Sequence, residues 1–532
     1  MTIYQFDYVI VGGGSAGAAL ASRLSENPKI TVGLFEAGGE ANTTLHRAPM
    51  AVVALMPKKN EHNWAFNTVP QKGLNGRVGY QPRGRGLGGS SAINAMAYVR
   101  GHKNDFNHWE SLGNPGWGYN DVLPYFMRSE NNETFGAPYH GRSGPLHISD
   151  GRSDNPFTQK FIDAGQEAGH KFNADINGEE QEGICRFQVN MVNGERCSTG
   201  RAFILPFLGR RKNLHVIQHA HVKKILIENG TAIGIEFQQD KKVLIAHAKR
   251  EVIISAGTFQ SPQLLMLSGI GDPKILQEAG IEVKLALPGV GKNLQDHIDF
   301  IFVSKLNNLD LAGLSIGGGL HLIKEIKKWR ATRRGFVATN YAEAGAFLKT
   351  KPELNAPDIQ LHFILARVED HGRKMSMGHG FSTHVACLRP KSRGTVSINS
   401  LDANAPPVID PNFFDHPDDM ATLISGFKIT RNILNQQSIA GLKPTDINTT
   451  NVSTDSEIEA VIRSSADTLY HPVGTCKMGS DDMAVVDSNL KVRGINNLRV
   501  VDASIMPTIV GGNTNAAAIM IGEKAADLIL NN

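Results

Sequence analysis

The sequence predicts an α/β fold in which a discontinuous domain on a mainly parallel sheet is interleaved with a second domain, built on an antiparallel sheet packed with helices. Three observations carry this expectation. Strand-like runs that end at a glycine or an acid, each followed by helix-compatible sequence, stand near the N-terminus (6–11), in the middle (252–257) and near the C-terminus (498–502). Between them, residues 358–365, 382–388 and 395–398 alternate apolar and polar side chains, the period of half-buried antiparallel strands. No Pro/Gly/Ser-rich linker separates the two textures. The expected division is 1–153, 196–308 and 466–532 for the first domain, and 154–195 and 309–465 for the second.

Composition excludes several classes of function. With 532 residues, 41% hydrophobic and 20% charged, the chain is an ordinary globular one rather than disordered, collagenous or coiled-coil. Its 55 glycines make up about a tenth of it, above the usual ~7%, and they cluster, which points to backbone held against a ligand. A net charge of +4, from 55 basic and 51 acidic residues, is too small to imply a nucleic-acid partner. The four cysteines, 185, 197, 387 and 476, share no close spacing. A disulfide framework or a cysteine zinc site is therefore not expected, and reduced thiols in a cytosol fit better. No secretory signal is read at the N-terminus, and no apolar run approaches the ~20 residues that span a bilayer. A cytoplasmic location is expected, with peripheral association with the inner membrane left open.

The first 36 residues contain the clearest motif. Residues 6–11 read as a strand, Gly12-x-Gly14-x-x-Gly17 as the turn, the alanine-rich stretch to Leu24 as a helix, and 30–35 as a second strand ending at Glu36. The glycines permit a tight turn, close approach of a pyrophosphate and close helix–strand packing, while the helix N-terminus favours the anion. Glu36, nineteen residues after Gly17, is placed to accept a hydrogen bond from a ribose hydroxyl. This is a Rossmann-like dinucleotide site, and by itself it does not separate FAD from NAD.

A second glycine loop, Arg83-Gly-Arg85-Gly-Leu-Gly88-Gly89-Ser90-Ser91-Ala-Ile-Asn94, offers hydroxyls and an amide suited to a pyrophosphate and an isoalloxazine ring. A surface turn is its alternative. Residues 257–271 read as a strand end, a helix begun by Ser261-Pro262 and a glycine stop, for which packing alone is an adequate explanation.

Taken in order, these stretches resemble the glucose-methanol-choline (GMC) oxidoreductase family of FAD enzymes that oxidise alcohols. The resemblance runs from about Phe6 to Leu530. It includes the loop at 83–106, the stretch 257–271, Asn293-Leu-Gln-Asp-His297, the block His471-Pro-Val-Gly-Thr-Cys-Lys-Met-Gly479, Val500-Val-Asp502-Ala-Ser and Gly512-Asn-Thr-Asn515. It implies that the discontinuous domain binds FAD. The implied contacts are Gly12, Gly14, Ser15, Ala16, Gly17, Glu36 and Ala37; Arg85, Gly88, Gly89, Ser90, Asn94, Ala95, Met96 and Ala97; and Val222, Ala256, Gly257, Asp502, Ala503, Asn513 and Asn515. Asp502 is implied near the pyrophosphate or ribityl chain, and the backbone around Val222 at adenine. His471 and Asn515, forty-four residues apart, are implied at the reactive edge of the ring.

The chemistry explains the histidine. Hydride leaves the carbinol carbon for flavin N5 only if the hydroxyl proton is also removed, and a neutral imidazole accepts that proton near pH 7. Asn515 is expected to hydrogen-bond the substrate oxygen as negative charge develops on it. Some members tether FAD through a histidine just before the position of Asn94; Ile93 stands there, so non-covalent FAD is expected.

Within the family the chain looks most similar to bacterial alkanol, polyethylene-glycol and choline dehydrogenase-like members, which implies a small-molecule alcohol substrate and a quinone or other electron acceptor. The segment 369–380 is more similar to the aliphatic-alcohol and polyethylene-glycol dehydrogenases than to choline enzymes, which implies a neutral primary alcohol. Glu343 could serve a choline site, or be a structural carboxylate. A choline dehydrogenase, an oxygen-using alcohol oxidase, an NAD-dependent dehydrogenase and a non-catalytic flavin-binding member are the alternatives. His297, His362, His384, His219 and His221 lack ligand spacing with acids or cysteines, so no metal is expected. In 320–334, Leu322, Ile323, Ile326 and Trp329 share a helical face, with Lys324, Lys327, Lys328, Arg330, Arg333 and Arg334 largely elsewhere. Such a basic amphipathic stretch suits peripheral contact with an anionic membrane, though a solvated helix packed on its own domain is the commoner use of the pattern.

Overall fold

The computed structural model of the chain describes residues 3–374 and 377–531. Its first sheet grows around Ile3–Val11, whose Val9 and Ile10 are buried as a central parallel strand requires. This strand pairs in parallel with Val32–Phe35 on one side and Lys242–Ile254 on the other; Leu214–Ile217 extends the first flank and Leu498–Val500 the second. Lys242–Ile254 is long enough to serve two neighbourhoods. Its C-terminal end carries the parallel partner from the far end of the chain, and its N-terminal half begins an antiparallel meander with Thr231–Gln239 and His221–Glu228.

Gly12, at φ +102°, turns the first strand into the helix Ser15–Leu24. A Cβ on Gly17 would stand 2.1 Å from the Gly12 carbonyl oxygen, so only glycine lets the helix start this close to the strand. The alanine-rich face of that helix packs on the C-terminal helix Asn515–Leu530, where a Cβ on Gly522 would stand 2.3 Å from the Ala16 carbonyl oxygen.

The second sheet runs Thr445–Asp446, Ile298–Lys305, Gly378–Cys387, Ile359–Ile364, Ala342–Leu348, Gly183–Arg186, Phe172–Asn173, with Gly313–Leu314 and Asp467–Thr468 on its flanks. It is antiparallel except for its last pair. Alternation along Ile359–Ile364 decides what each face does. Ile359, Leu361 and Phe363 enter a core formed with the helices Pro156–Glu167, Pro417–Leu434 and Asp455–Ser465. Gln360, His362 and Ile364 point the opposite way, toward the first domain. A smaller four-stranded sheet, Glu130–Asn132, Leu146–Asp150, Gln188–Val192 and Glu195–Arg196, lies outside these two.

Two expectations about layers need adjustment. Thr395–Ser397 does not join the large antiparallel sheet; it forms a ribbon with Val408–Asp410, and Val396 and Ile409 pack on Phe66, Phe259 and Leu294. Ile298–Lys305 and Asp467–Thr468 belong to the second sheet, although the division expected from sequence puts 196–308 and 466–532 in the first domain. The chain therefore changes layers around 293–297 and again around 469–473, and both crossings border the site. Among the described residues no helix is long and apolar enough to cross a membrane.

Candidate active site

A cavity of about 400 Å³ lies between the two sheets. The helices Ser15–Leu24, Gly257–Leu267 and Asn515–Leu530 all present their first turns to it, and none has a side-chain cap or an acidic residue in that turn. Two uncapped helix starts, at Ser15 and Asn515, thus converge on one space with a third whose Gly257 N–H is taken by Asp502, and the two free dipole ends favour an anionic, hydrogen-bond-accepting ligand.

The glycine loops nest there. A Cβ on Gly89 would stand 2.9 Å from Gly14 Cα, and Gly257, at φ +82°, has no atom within 4 Å of where its Cβ would be. Glu36 accepts from the backbone N–H of Gly13 (2.8 Å), Gly38 (2.8 Å) and Gly86 (2.9 Å). A carboxylate offers about four acceptor positions, so one remains for a ribose hydroxyl. Asp502 accepts from Gly257 N–H at 2.9 Å and the Ser261 hydroxyl at 2.5 Å, fastening the second helix start beneath the cavity. These features fit FAD: an anion cradle, a buried acid at the end of the second strand, and backbone open to a bulky ligand.

Among the expected cofactor contacts, Gly17, Arg85 and Gly88 do not reach the cavity wall; all the others do. Gly17 serves helix–strand packing, and Gly88 packs against Gly200, whose N would be 3.0 Å from a Cβ. Arg85 lies over the Trp64 ring (4.8 Å) and lines a smaller cavity with His62 and His219.

At the far end of the cavity a row of polar groups fixes the state of His471. The Leu388 carbonyl can only accept, so Nε2 of His297, 3.1 Å away, carries a proton. Nδ1 of a neutral His297 is then an acceptor, and it takes the proton of His471 Nδ1 at 3.0 Å. Nε2 of His471 is left with a lone pair, which accepts from Nδ2 of Asn513 at 3.0 Å. Asn513 Oδ1 in turn accepts from Gln360 Nε2, also at 3.0 Å. Burial, reinforced by His297, His362 and Arg83, holds the His471 imidazole well below the ordinary histidine range, and burial brings His297 down to about 4. Asp296 accepts from His471 N–H at 2.8 Å and positions the backbone.

The carboxamide beside His471 is thus Asn513 rather than the expected Asn515. Asn515 opens the C-terminal helix, and its Oδ1 accepts from the Ser15 hydroxyl at 2.7 Å, toward the glycine loop. Gln360, His362 and Tyr341 were not among the expected site residues; their signal was only the strand alternation that places 360 and 362 on the inner face. Met96, Tyr341 and Tyr470, all on the cavity wall, hold positive φ of 60°, 65° and 71°, the kind of strain that gathers at functional sites.

Glu343 is absent from this wall. It is buried behind it, accepting from the hydroxyls of Thr158 (2.8 Å) and Thr339 (2.5 Å). Among the described residues the acids lining the cavity are Glu36 and Asp502, both at the nucleotide end, while Ile364, Ala366, Val368, Val53 and Met56 line the outer part. Ile93 also lines the cavity. Met375 and Ser376, in the segment that suggested the substrate class, lie outside the described residues. No cluster of metal-ligating side chains occurs among the described residues.

Comparison with known proteins places these features in context. Residues 6–299 match the N-terminal profile of the GMC oxidoreductases, and residues 390–522 the C-terminal one. The chain is 44% identical to an alcohol dehydrogenase [acceptor] of Pseudomonas putida, over 99% of this chain and 96% of the relative. It is 43% identical, with the same coverage, to an oxygen-dependent choline dehydrogenase of Rhizobium rhizogenes. Among solved structures, pyridoxine 4-oxidase from Mesorbium loti superposes with a TM-score of 0.89 at 30% identity, over 99% of each chain. A formate oxidase of Aspergillus oryzae RIB40, studied for FAD modification, superposes with a TM-score of 0.91 at 27% identity, over 99% of this chain and 98% of that one.

Proposed function

The chain belongs to the GMC oxidoreductase family, and from that premise we propose that it oxidises a neutral primary alcohol, aliphatic in preference to choline, to the aldehyde, with FAD held non-covalently. FAD, when bound, takes up the two electrons that leave the carbinol carbon with its hydrogen; the protein supplies position and proton handling.

The observation that carries this reading is the pairing of the His471 Nε2 lone pair with the Asn513 Nδ2 donor, 3.0 Å apart. An alcohol is the complement of that pair. Its O–H donates to Nε2 while its oxygen accepts from Nδ2, so one hydroxyl replaces the contact the two side chains make with each other. As the proton moves to His471, charge grows on the oxygen and the Asn513 hydrogen bond strengthens with it. His471 meets the substrate neutral, because burial disfavours its charged form.

The apolar outer wall, with no carboxylate among its described residues, supports a neutral substrate; recognition of a quaternary ammonium would call for an acid and aromatic faces there. Ile93 in place of a tethering histidine supports non-covalent FAD, and acid precipitation should leave the yellow colour in the supernatant. Electrons are then passed to a quinone or similar acceptor from a cytoplasmic position, for which peripheral contact with a membrane is the natural setting.

Anaerobic mixing of the holoenzyme with 1-butanol, 1-octanol and choline tests the proposal. The flavin absorbance should bleach with the alkanols and persist with choline, and dye reduction should exceed peroxide release. Bleaching by choline alone would replace the substrate class, and a colourless protein would end the flavin reading.

A further inference from the structure

The helix Ile316–Thr332 packs on its own protein through Leu322, Ile326 and Trp329, which meet Ala48, Met50, Val337 and Ala338. The Trp329 indole N–H donates to the Gly194 carbonyl at 2.8 Å. Three members of the apolar face visible in the sequence are therefore occupied by intramolecular packing; Ile323, expected on the same face, is not. It belongs to a second apolar row that remains uncovered. Ile316, Leu320 and Ile323 are 89%, 68% and 56% exposed, and their spacing of four and three residues makes them one stripe. At about 100° per residue, Lys327 and Arg330 continue this stripe toward the C-terminus and Lys324 borders it. None of these three cations forms an ion pair among the described residues. Met377, 73% exposed, joins the apolar end through its backbone bridge to Leu314.

Segments that adjoin this helix line the cavity. Ala312, two residues before Leu314, bridges to Ala366, which lines the cavity with Ile364 and Val368. On the other flank, Ala48 and Met50 beneath the helix lead directly into Val52 and Val53, which also line the cavity, and Val53 is itself exposed.

We propose that the Ile316–Leu320–Ile323 stripe docks the protein on an anionic phospholipid bilayer, with Lys324, Lys327 and Arg330 among the headgroups, and that the cavity mouth opens toward that surface. An apolar row alone would suit any partner. Uncompensated cations continuing the row select acidic headgroups, and the combination is that of an interfacial helix. The consequence, which rests on the alcohol reading above, is that a long-chain alcohol passes from the hydrocarbon phase to His471 without crossing bulk water.

The test is sedimentation of the holoenzyme with phosphatidylglycerol/phosphatidylcholine vesicles and with phosphatidylcholine alone, at low and high salt. Binding should be confined to the acidic vesicles and fall about tenfold at high salt. The double variant I316E/L320E, with its melting temperature unchanged, should lose at least about tenfold in binding, as should K327E/R330E. Its turnover of 1-butanol in solution should stay normal while turnover of hexadecanol presented in acidic vesicles falls. No sedimentation of the native enzyme with acidic vesicles, or undiminished binding by I316E/L320E, would overturn the proposal. A concentration-dependent dimer abolished by the same variant, without vesicle binding, would assign the stripe to a second copy of the chain and overturn it equally. Vesicle binding with no alcohol turned over would leave the docking intact and fail the alcohol reading instead.

Discussion

Nδ2 of Asn513 lies 3.0 Å from Nε2 of His471, at the end of a row in which each proton position is dictated by the next group: Leu388 carbonyl, His297, His471, Asn513, Gln360. The row begins at a backbone oxygen that cannot donate, so its direction is set. Its outcome is an imidazole lone pair and an amide N–H side by side, ready for one hydroxyl group. Neither side chain would present this face reliably alone, since an isolated histidine exchanges tautomers and an isolated asparagine can turn over.

The two asparagines should separate rate from cofactor retention. His471→Ala should slow flavin reduction by about a hundredfold or more with FAD still bound. Asn513→Ala should also slow it by about a hundredfold at unchanged flavin content. Asn515→Ala, which removes the acceptor of the Ser15 hydroxyl, should instead lower flavin content on purification. Stopped-flow bleaching and the visible spectrum give both quantities, and the reverse pattern in the two asparagine variants would exchange their roles.

What could be read from the chain beforehand followed the range of the interaction. Gly12, Gly14, Gly17 and Glu36 were legible because turn, helix and second strand are neighbours in sequence and each residue type answers a local demand. The choice between Asn513 and Asn515 was not, because residues two apart at a helix start point about 200° apart and only the position of His471, on another element, decides which is inward. The place of Ile298–Lys305 was equally hidden. Its apolar run Phe300 to Val303 suits either sheet, and its pairing with Gly378–Cys387 joins segments about eighty residues apart. Glu343 was undecidable for the same reason, since one of its two hydroxyl donors is Thr158, 185 residues away.

His297 is a positioning residue whose loss should be felt through His471. His297→Ala removes the acceptor for the His471 Nδ1 proton, so part of the population should carry its proton on Nε2 and be unable to accept another. Flavin reduction should fall by about tenfold, chiefly in kcat and with little change in KM. His297→Gln, which can still present a carbonyl oxygen, should recover part of the rate. Equal rates in the native and alanine proteins would remove His297 from this role.

Glu523 ties together two of the three helices whose first turns face the cofactor space, Ser15–Leu24 and Asn515–Leu530. Fully buried, it accepts from Arg23 at 2.8 Å and 2.9 Å and from Arg128 at 2.7 Å. Glu523→Ala would leave Arg23 with Glu26 (2.8 Å) and Arg128 with Asp527 (2.9 Å) as their remaining, more exposed counter-charges, a loss of about 1–3 kcal/mol. Urea unfolding of the holoprotein should show a midpoint lowered accordingly, with Glu523→Gln in between because it keeps an acceptor. A variant as stable as the native chain would mean that Glu26 and Asp527 hold the two arginines unaided.

Acid should unfold the protein through its buried imidazoles before its carboxylates matter. Burial brings His297 to about 4 and His362 to about 3, and His471 lies well below its ordinary value of 6.5. Below pH 6.5 the unfolded chain takes up protons that these three refuse in the native state. Stability therefore rises with pH in that range and falls as pH drops, by about 1.4 kcal/mol per pH unit for each group. Asp296 acts in the opposite sense. Burial raises it from 3.8 to about 6, so between those values the native chain holds a proton the unfolded chain has released. His46 and His221, also brought down to about 4 by burial, act with the three imidazoles, and together they outweigh Asp296 and leave a net loss of stability from pH 6.5 down to about 4. Urea midpoints measured from pH 7.5 to 4 should be level above pH 7 and decline below 6.5, and His362→Gln should make that decline shallower by about one proton's slope. An unchanged slope in that variant would mean that His362 is charged in the folded protein, which its place on the inner face of the second sheet, between Gln360 and the cavity, argues against.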